Sequence, residues 1–419
     1  ALLISKVAGA LAARATDMKG RLGGWREKRG PSGCAKGEAA QQDPGPLRAA
    51  HLTSRGVRVC AQVCAGVRGC KPRGAPFVGL RDGNAGCSGS GHTETRMKST
   101  PISPEKPASG TPVSAWTRVS LVWRMTRPAF LLLTVVACVL GTATASACGC
   151  GLDLPLALGA MALAVLAHAA GNVLNDLHDA RNGADAANTD AISPFTGGSR
   201  LIQTGAVSEQ QTAELARALL VFLVPAGLLL AVKAGGGVLL LGMAGLLLAW
   251  AYSAPPLKLM SRGLGELTVA LVWFLVVVGA DYVQRRQFFV IPASAAAGFA
   301  LMVGALLLIN GFPDAAADAR VGKRTLVVRL GPVAAGALYG ALVLGAHAWL
   351  AASVWLLIPP MPALWGLVSL PFSLAALVWL LTHLHRPQQL KPALALTVAA
   401  TLLHGLGMAW GFAQMAGLH

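Results

Sequence analysis

Asn172-Val-Leu-Asn175-Asp176-Leu-His178-Asp179-Ala-Arg-Asn-Gly183-Ala-Asp185 closes a long apolar segment, and its reading decides the fold. A second acidic stretch, Asn310-Gly-Phe-Pro313-Asp314-Ala-Ala-Ala-Asp318, closes another. From Met97 onward the chain holds 12 Asp and Glu residues, and Asp176, Asp179, Asp185, Asp314 and Asp318 are five of them. Carboxylates gathered at the end of an apolar run are costly to ionise unless a cation neutralises them. A metal ion is the expected cation.

Working outward, 54% of the 419 residues are hydrophobic and only 13% are charged, about half of the roughly 25% charged residues of soluble domains. Apolar runs of about 17 to 25 residues mark helices that cross a bilayer. Nine such windows occur: Ala129–Ala147, Leu154–Leu174, Ala213–Val232, Gly236–Tyr252, Leu264–Ala280, Phe288–Phe312, Val333–Leu357, Ala363–Leu381 and Ala393–Met415. An all-α, multi-pass membrane protein is expected, and soluble fold classes are excluded. Gly and Ala inside the windows suit close helix packing in lipid.

The first 96 residues differ from the rest, with 16 Lys and Arg against 6 Asp and Glu and no apolar period. A basic, disordered arm on anionic lipid is one reading. A metal-binding group at Cys60, Cys64 and Cys70 is another, but it lacks a matching second pair. Met97-Lys-Ser-Thr-Pro-Ile-Ser-Pro looks like the start of a polar leader spanning 97–127. Residues 1–96 are therefore expected to be upstream translation from a misplaced start codon, with the membrane domain at 128–419.

Basic residues alternate in number between successive connections. Arg118, Arg124, Arg127, Arg181, Arg200, Lys258, Arg262, Arg320, Lys323, Arg324, Arg329, Arg386 and Lys391 fall on one side, against Lys233, Arg285 and Arg286 on the other. The positive-inside rule then puts the N-terminus and both acidic clusters in the cytoplasm and the C-terminus outside. The expected location is a bacterial-type inner membrane.

At about 100° per residue, Asn172, Asp176 and Asp179 share a face within roughly 60°. Asn182-Gly183 is a plausible helix stop that would let Asp185 curl back. Asp314 and Asp318, four apart, share a face as well. Each set alone is an incomplete oxygen-ligand site. Together they could hold Mg²⁺, which takes one or two carboxylates plus substrate phosphates. Nearby segments supply anion-binding groups: Thr196-Gly197-Gly198-Ser199-Arg200, Tyr252-Ser-Ala-Pro-Pro-Leu-Lys258, and Gly322-Lys323-Arg324-Thr325-Leu. A layered arrangement of acid, metal, diphosphate and base would stabilise a departing diphosphate.

The pattern Asn-x₃-Asp-x₂-Asp-x₅-Asp from Asn172 to Asp185, with Asp-x₃-Asp at Asp314 and Asp318, resembles the UbiA superfamily of intramembrane prenyltransferases. The similarity runs from about Arg118 to the C-terminus. It implies nine helices around a central cavity, a prenyl diphosphate donor, an aromatic acceptor, Mg²⁺ and a lipid bilayer, with no nucleic-acid partner. Carried over, it implies that Asp176, Asp179, Asp185, Asp314 and Asp318 hold metal. Asn172, Ser199, Arg200, Lys258, Lys323 and Arg324 would bind substrate, and Tyr252 would meet the leaving group or the allylic cation. The Thr-Gly-Gly-Ser-Arg and Gly-Lys-Arg-Thr-Leu segments are most similar to enzymes that prenylate 1,4-dihydroxy-2-naphthoate in menaquinone synthesis. Those enzymes usually carry Arg immediately before the first Asp of the second motif, where this chain has Pro313. Family members acting on 4-hydroxybenzoate or a tetrapyrrole are the near alternative. An ion-coupled transporter is the distant one, and it would place its acids near the bilayer midplane.

Other polar residues read as structure. Trp116, Trp123 and Trp250 are expected at the membrane interface. His168, His347 and His404 are expected to be hydrogen-bonded within spans, and Cys138, Cys148 and Cys150 to be structural. Glu266 could support Lys258, Asp281 is expected to pair with Arg285, and His178 could position Asp179.

Overall fold

The apolar windows fold as helices wherever the hydropathy pattern places them. The computed structural model describes residues 114–149 and 152–416. The expectations placed on residues 1–96, on 97–113 and on Cys150 therefore lie outside the described residues. Within them, every regular element is helical. These are α1 (Ala115–Met125), α2 (Pro128–Ser146), α3 (Leu154–Asn182), α4 (Ala184–Ala187), α5 (Glu209–Ala234), α6 (Gly237–Ser253), α7 (Gly265–Arg285), α8 (Val290–Arg320), α9 (Leu326–Trp355), α10 (Leu370–Thr382) and α11 (Lys391–Ala416). Short 3₁₀ turns occupy Leu259–Arg262, Met361–Ser369 and Pro387–Gln389. Eight segments are long and apolar enough to cross a membrane, and α6, with 17 residues, is a shorter apolar helix. That makes nine apolar segments among the described residues.

Local sequence explains the ends. Asp153 caps α3 by accepting from the Leu156 N–H at 3.0 Å, with Pro155 in the first turn. Gly183 stops α3 in the left-handed region at φ 79°, a conformation that glycine adopts without a Cβ penalty. Ser208 and Gln211 form a reciprocal capping box ahead of α5. A left-handed turn at Arg127, φ 52°, separates α1 from α2.

Several boundaries differ from the sequence reading. Beyond its apolar window α3 runs on to the expected stop at Asn182-Gly183, with Asp176 and Asp179 on its last turns and Asp185 on the next helix. The helix of the sixth span likewise continues past its window, to Arg320, and carries Asp314 and Asp318. Pro313 sits inside α8, where it removes one N–H from the ladder. The helix nevertheless continues through it to Arg320, with Pro313 buried. The seventh span starts at Leu326 rather than Val333 and kinks at Gly331-Pro332, with Gly331 at φ 74°. The eighth begins as the 3₁₀ turn before α10. Part of the expected polar leader is the helix α1.

Packing divides the helices unevenly. In the span window of α8, 67% of residues are buried, against 17% in α3 and 17% in α5. Helices α2, α7, α8, α9 and α11 therefore form a tight half, built on Leu140, Phe299, Met302, Ile309, Tyr339 and Met408. Helices α3, α5 and α6 lean on it more loosely, which leaves room for a cavity. Away from the cavity, buried Asp281 pairs with Arg285 at 2.6 Å and accepts from Thr144 at 2.9 Å, as the sequence suggested. Arg285 also donates to Cys148 Sγ at 3.1 Å, while Cys138 is buried in α2.

The tight half depends on close backbone approach. A Cβ on Gly411 of α11 would stand 2.0 Å from the Pro362 carbonyl oxygen, whereas one on Gly345 of α9 would meet nothing within 4 Å. Gly411→Ala should cost about 1–3 kcal/mol by overpacking, read as a lower midpoint of thermal unfolding in detergent. Gly345→Ala should leave that midpoint unchanged or raise it slightly.

Candidate active site

A cavity of about 640 Å³ opens between the two halves. Leucine, valine and glycine from α3, α5, α6 and α7 line most of it. Its polar end gathers Arg127, Asn175, Asp179, Asp185, Asp314, Asp318 and Lys323. The two acidic motifs, 138 residues apart between Asp176 and Asp314, meet there.

Lys323 is the joint. Its Nζ lies 3.0 Å from Asp179 Oδ1 and 3.2 Å from Asp318 Oδ1, so one ammonium spans both motifs. Burial opposes its charge, but Asp179 and Asp318 outweigh burial and hold its pKa above the ordinary lysine value. Arg127 is the second internal cation. It forms an ion pair with Asp176 and donates to Asn175 Oδ1 at 3.2 Å. Burial opposes this charge too, and Asp176, Asp185 and Asp179 raise the guanidinium pKa despite it.

The remaining contacts orient the carboxylates. Asn175 and Asn182 each donate to Asp179 at 3.1 Å. Asn188 donates to Asp314 at 2.6 Å, and Gln203 to Asp185 at 3.2 Å. The 196–200 loop folds over the first motif, where the Ser199 N–H donates to Asp176 Oδ2 at 3.2 Å. Gly198 permits this approach. It has φ 70°, and a Cβ there would lie 3.0 Å from both Arg127 Nη2 and Asp176 Oδ1. Asp185 curls back beyond Gly183 and is 5% exposed. Burial, reinforced by Asp179 and Asp176, pushes its pKa up to about 7.

Five aspartates thus face two cations, with carboxylate in excess. Asn188 Oδ1 and Asn310 Oδ1 are buried at the same end without hydrogen-bond partners. Hard oxygen donors of this kind suit Mg²⁺. Among the described residues, no three acidic, His or Cys groups converge as a ready cage. The donor chemistry therefore fits Mg²⁺, but the protein alone does not complete its shell.

Not every residue singled out from sequence reaches this end. Asn172, Asp179, Asp185, Tyr252, Asp314, Asp318 and Lys323 line the cavity, while Asp176 and Ser199 sit just behind it. Asn172 donates to the Thr126 carbonyl at 2.9 Å, which ties α3 to the start of α2. Lys258 and Arg324 are exposed and do not line the cavity, and neither does Arg200, which donates to the Asn188 carbonyl at 2.7 Å. These three, expected on the substrate, are therefore not among the residues that line the cavity. Arg200 and Lys258 have left-handed backbone, φ 57° and 43°. Glu266 lines the cavity away from Lys258, and His178 does not line it. His168 pairs with Thr134 at 2.8 Å, and His347 and His404 share Ser369 at 2.9 and 3.3 Å.

Sequence reasoning missed Arg127, which it counted only as topological charge, and Asn188. The Arg-Pro pair opening the first span was a usable signal for Arg127. Nothing in the sequence marked Asn188.

Acidic motifs facing one another at the polar end of an apolar cavity, among helices long and apolar enough to cross a membrane, are the arrangement of an integral membrane enzyme. Residues 131–403 match the UbiA prenyltransferase family. The chain is 32% identical over 297 residues to the 1,4-dihydroxy-2-naphthoate octaprenyltransferase of Escherichia coli (strain K12), covering 67% of this chain and 91% of that one. It is 31% identical over 219 residues to the protein of the same name from Mycobacterium tuberculosis (strain ATCC 25618 / H37Rv), covering 52% and 71%. The apo structure of a UbiA homolog from Aeropyrum pernix K1 shares the fold, with a TM-score of 0.51 at 20% identity over 65% of this chain and 96% of that one. The chain belongs to the UbiA prenyltransferase family, and it is a prenyltransferase.

Two outcomes test this electrostatic arrangement. Lys323→Met leaves Asp179 and Asp318 facing each other without their shared cation, and removing one partner of a buried pair costs about 3–5 kcal/mol. Thermal unfolding in metal-free buffer should show the loss. Separately, folded Asp185 keeps its proton to about pH 7 against an ordinary 3.8. The folded state then binds more protons than the unfolded one across that window, so stability falls as pH rises through it. Asp185→Asn should flatten this slope in unfolding midpoints measured without metal at successive pH values.

Proposed function

We propose that this protein transfers a polyprenyl group from a prenyl diphosphate to 1,4-dihydroxy-2-naphthoate, a step of menaquinone synthesis. The observation that carries the donor reading is Lys323, held at 3.0 Å and 3.2 Å by acids of both motifs at the polar mouth of an apolar cavity. A diphosphate with a long hydrocarbon tail has the same polarity profile. The acceptor reading is supported by relatives named for that reaction at 25–32% identity.

In this reading Asp176, Asp179, Asp185, Asp314 and Asp318 hold Mg²⁺. When bound, the metal supplies positive charge to diphosphate oxygens, as expected for ionisation of a phosphate ester. The protein's own groups do the rest. Lys323, placed between the motifs, turns from carboxylates to a diphosphate oxygen and stabilises charge on the leaving group. Arg127 pairs with Asp176 and fixes its direction. Asn175, Asn182 and Asn188 hold Asp179 and Asp314 in place, so little reorganisation is needed when substrate arrives. As the C–O bond breaks, its electron pair leaves with the diphosphate. Apolar walls exclude water from the allylic cation, Tyr252 faces it from α6, and a ring carbon of the acceptor supplies the electron pair of the new C–C bond. The ring then recovers aromaticity by losing a proton to the released diphosphate, or its carboxylate as CO₂. Basic residues crowd the connections on this side, which supports a cytoplasmic site.

Reconstituted protein should consume labelled polyprenyl diphosphate only with Mg²⁺ and an aromatic acceptor, and 1,4-dihydroxy-2-naphthoate should outpace 4-hydroxybenzoate. Asp179→Asn and Asp314→Asn should each lower kcat/KM by about 10²–10³, the scale of losing one electrostatic stabiliser, with the protein still in the membrane fraction. Preference for 4-hydroxybenzoate would overturn the acceptor. Unchanged turnover in both variants would overturn the donor site.

A further inference from the structure

Helix α1 has features that prenyl transfer does not explain. Around its axis, at 100° per residue, Trp116, Val119, Val122 and Trp123 fall within an arc of about 120°. They are 83%, 59%, 43% and 59% exposed. Roughly opposite, Leu121 and Met125 pack with Leu201, Val207 and Ala216. Thr117, Ser120 and Arg124 form a third, polar face, and Arg118 lies at the edge of the apolar arc beside Val122. The helix contains no acidic residue. It is 11 residues long, about 16 Å, far too short to cross a hydrocarbon layer of about 30 Å.

The start of the first span fixes the height of α1 in the membrane. Only Thr126 and Arg127 separate α1 from Pro128, where that span begins. The surface available to the apolar arc at that level is the bilayer boundary, where tryptophan is favoured. An apolar arc containing two tryptophans, with Arg118 on its border and Arg124 on the adjoining polar face, suits a helix lying in the headgroup layer of an anionic leaflet. The buried face explains why such a helix would matter. It packs on the loop after α4, and the next residues reach the site, with the Thr126 carbonyl on Asn172 and Arg127 on Asp176.

We propose that α1 is an interfacial helix that binds anionic phospholipid: Trp116, Val119 and Trp123 enter the acyl boundary while Arg118 and Arg124 engage negative headgroups. The contact anchors the backbone within two residues of Arg127. It is independent of the acceptor and of turnover.

Hydrogen exchange of the full chain in lipid nanodiscs tests it, with peptides covering residues 115–125 compared in phosphatidylcholine and in mixtures with phosphatidylglycerol. Anionic lipid should slow exchange of α1. Arg118→Gln with Arg124→Gln should return it to the neutral-lipid rate, a change of about fivefold per arginine from roughly 1 kcal/mol each. Trp116→Ser with Trp123→Ser should speed exchange in both lipids. Peptides from α3 should stay protected throughout, which separates these effects from misfolding. Equal α1 protection in both lipids, insensitive to either pair of substitutions, would overturn the proposal. So would protection that vanishes when each disc holds a single copy, or when residues before 114 are removed, since a second chain or the preceding segment would then cover the face. No substrate is used, so failure here leaves the prenyl-transfer reading untouched.

Discussion

Crowded carboxylate in a poorly hydrated place is the constraint on which this molecule turns. Asp176, Asp179, Asp185 and Asp318 are all less than a tenth exposed, and together with Asp314 they would repel one another if ionised alone. Two internal cations make the arrangement tolerable. Arg127 holds the first motif from the start of α2, and Lys323 ties the first motif to the second. The acids therefore stay close enough to share a third, incoming cation. The same excess of negative charge that threatens the fold is what would draw a divalent metal and its diphosphate into the cavity.

The helices serve that meeting point. Extension of α3 to Asn182 and of α8 to Arg320 carries both motifs on rigid backbone rather than on loops. The left-handed stop at Gly183 and the close approach at Gly198 then bring Asp185 and the Ser199 amide back over the first motif. Behind them, α2, α8 and α11 pack tightly enough to hold geometry. The loosely packed α3, α5 and α6 leave an apolar space suited to a chain of isoprene units. The first motif rides on one of those loosely packed helices, and it is held because its acids lie at the end of α3, where Arg127, Lys323 and the Ser199 amide bind them.

Much of this is legible in the amino-acid order alone, for a physical reason. A bilayer demands long apolar runs, so the spans announce themselves, and excess carboxylate at their ends is conspicuous against a chain poor in acid. The i, i+4 pairing of Asp314 and Asp318 and the stop at Asn182-Gly183 are local properties, and they are readable as such. Non-local features are not. Helix continuity through Pro313 is not readable from local sequence, since proline lacks the N–H that the ladder would use. Arg127 acquires its role only when α2 meets α3. Arg200 and Lys258 look like substrate-binding cations, yet neither lines the cavity, and Arg200 donates to the Asn188 carbonyl. Helix α1 escapes detection by span-length hydropathy because it is short and its apolar residues follow a helical period.

The most direct test of the shared cation site is a spin measurement rather than a rate. Mn²⁺ can replace Mg²⁺ in oxygen-ligand sites of this kind, and its electron spin resonance reports binding to the purified protein with a non-reactive prenyl diphosphate analogue present. If the two motifs hold one metal–diphosphate unit between them, bound Mn²⁺ should fall sharply in Asp179→Asn and equally sharply in Asp318→Asn. Full Mn²⁺ binding after loss of either aspartate would contradict a site built jointly by both motifs.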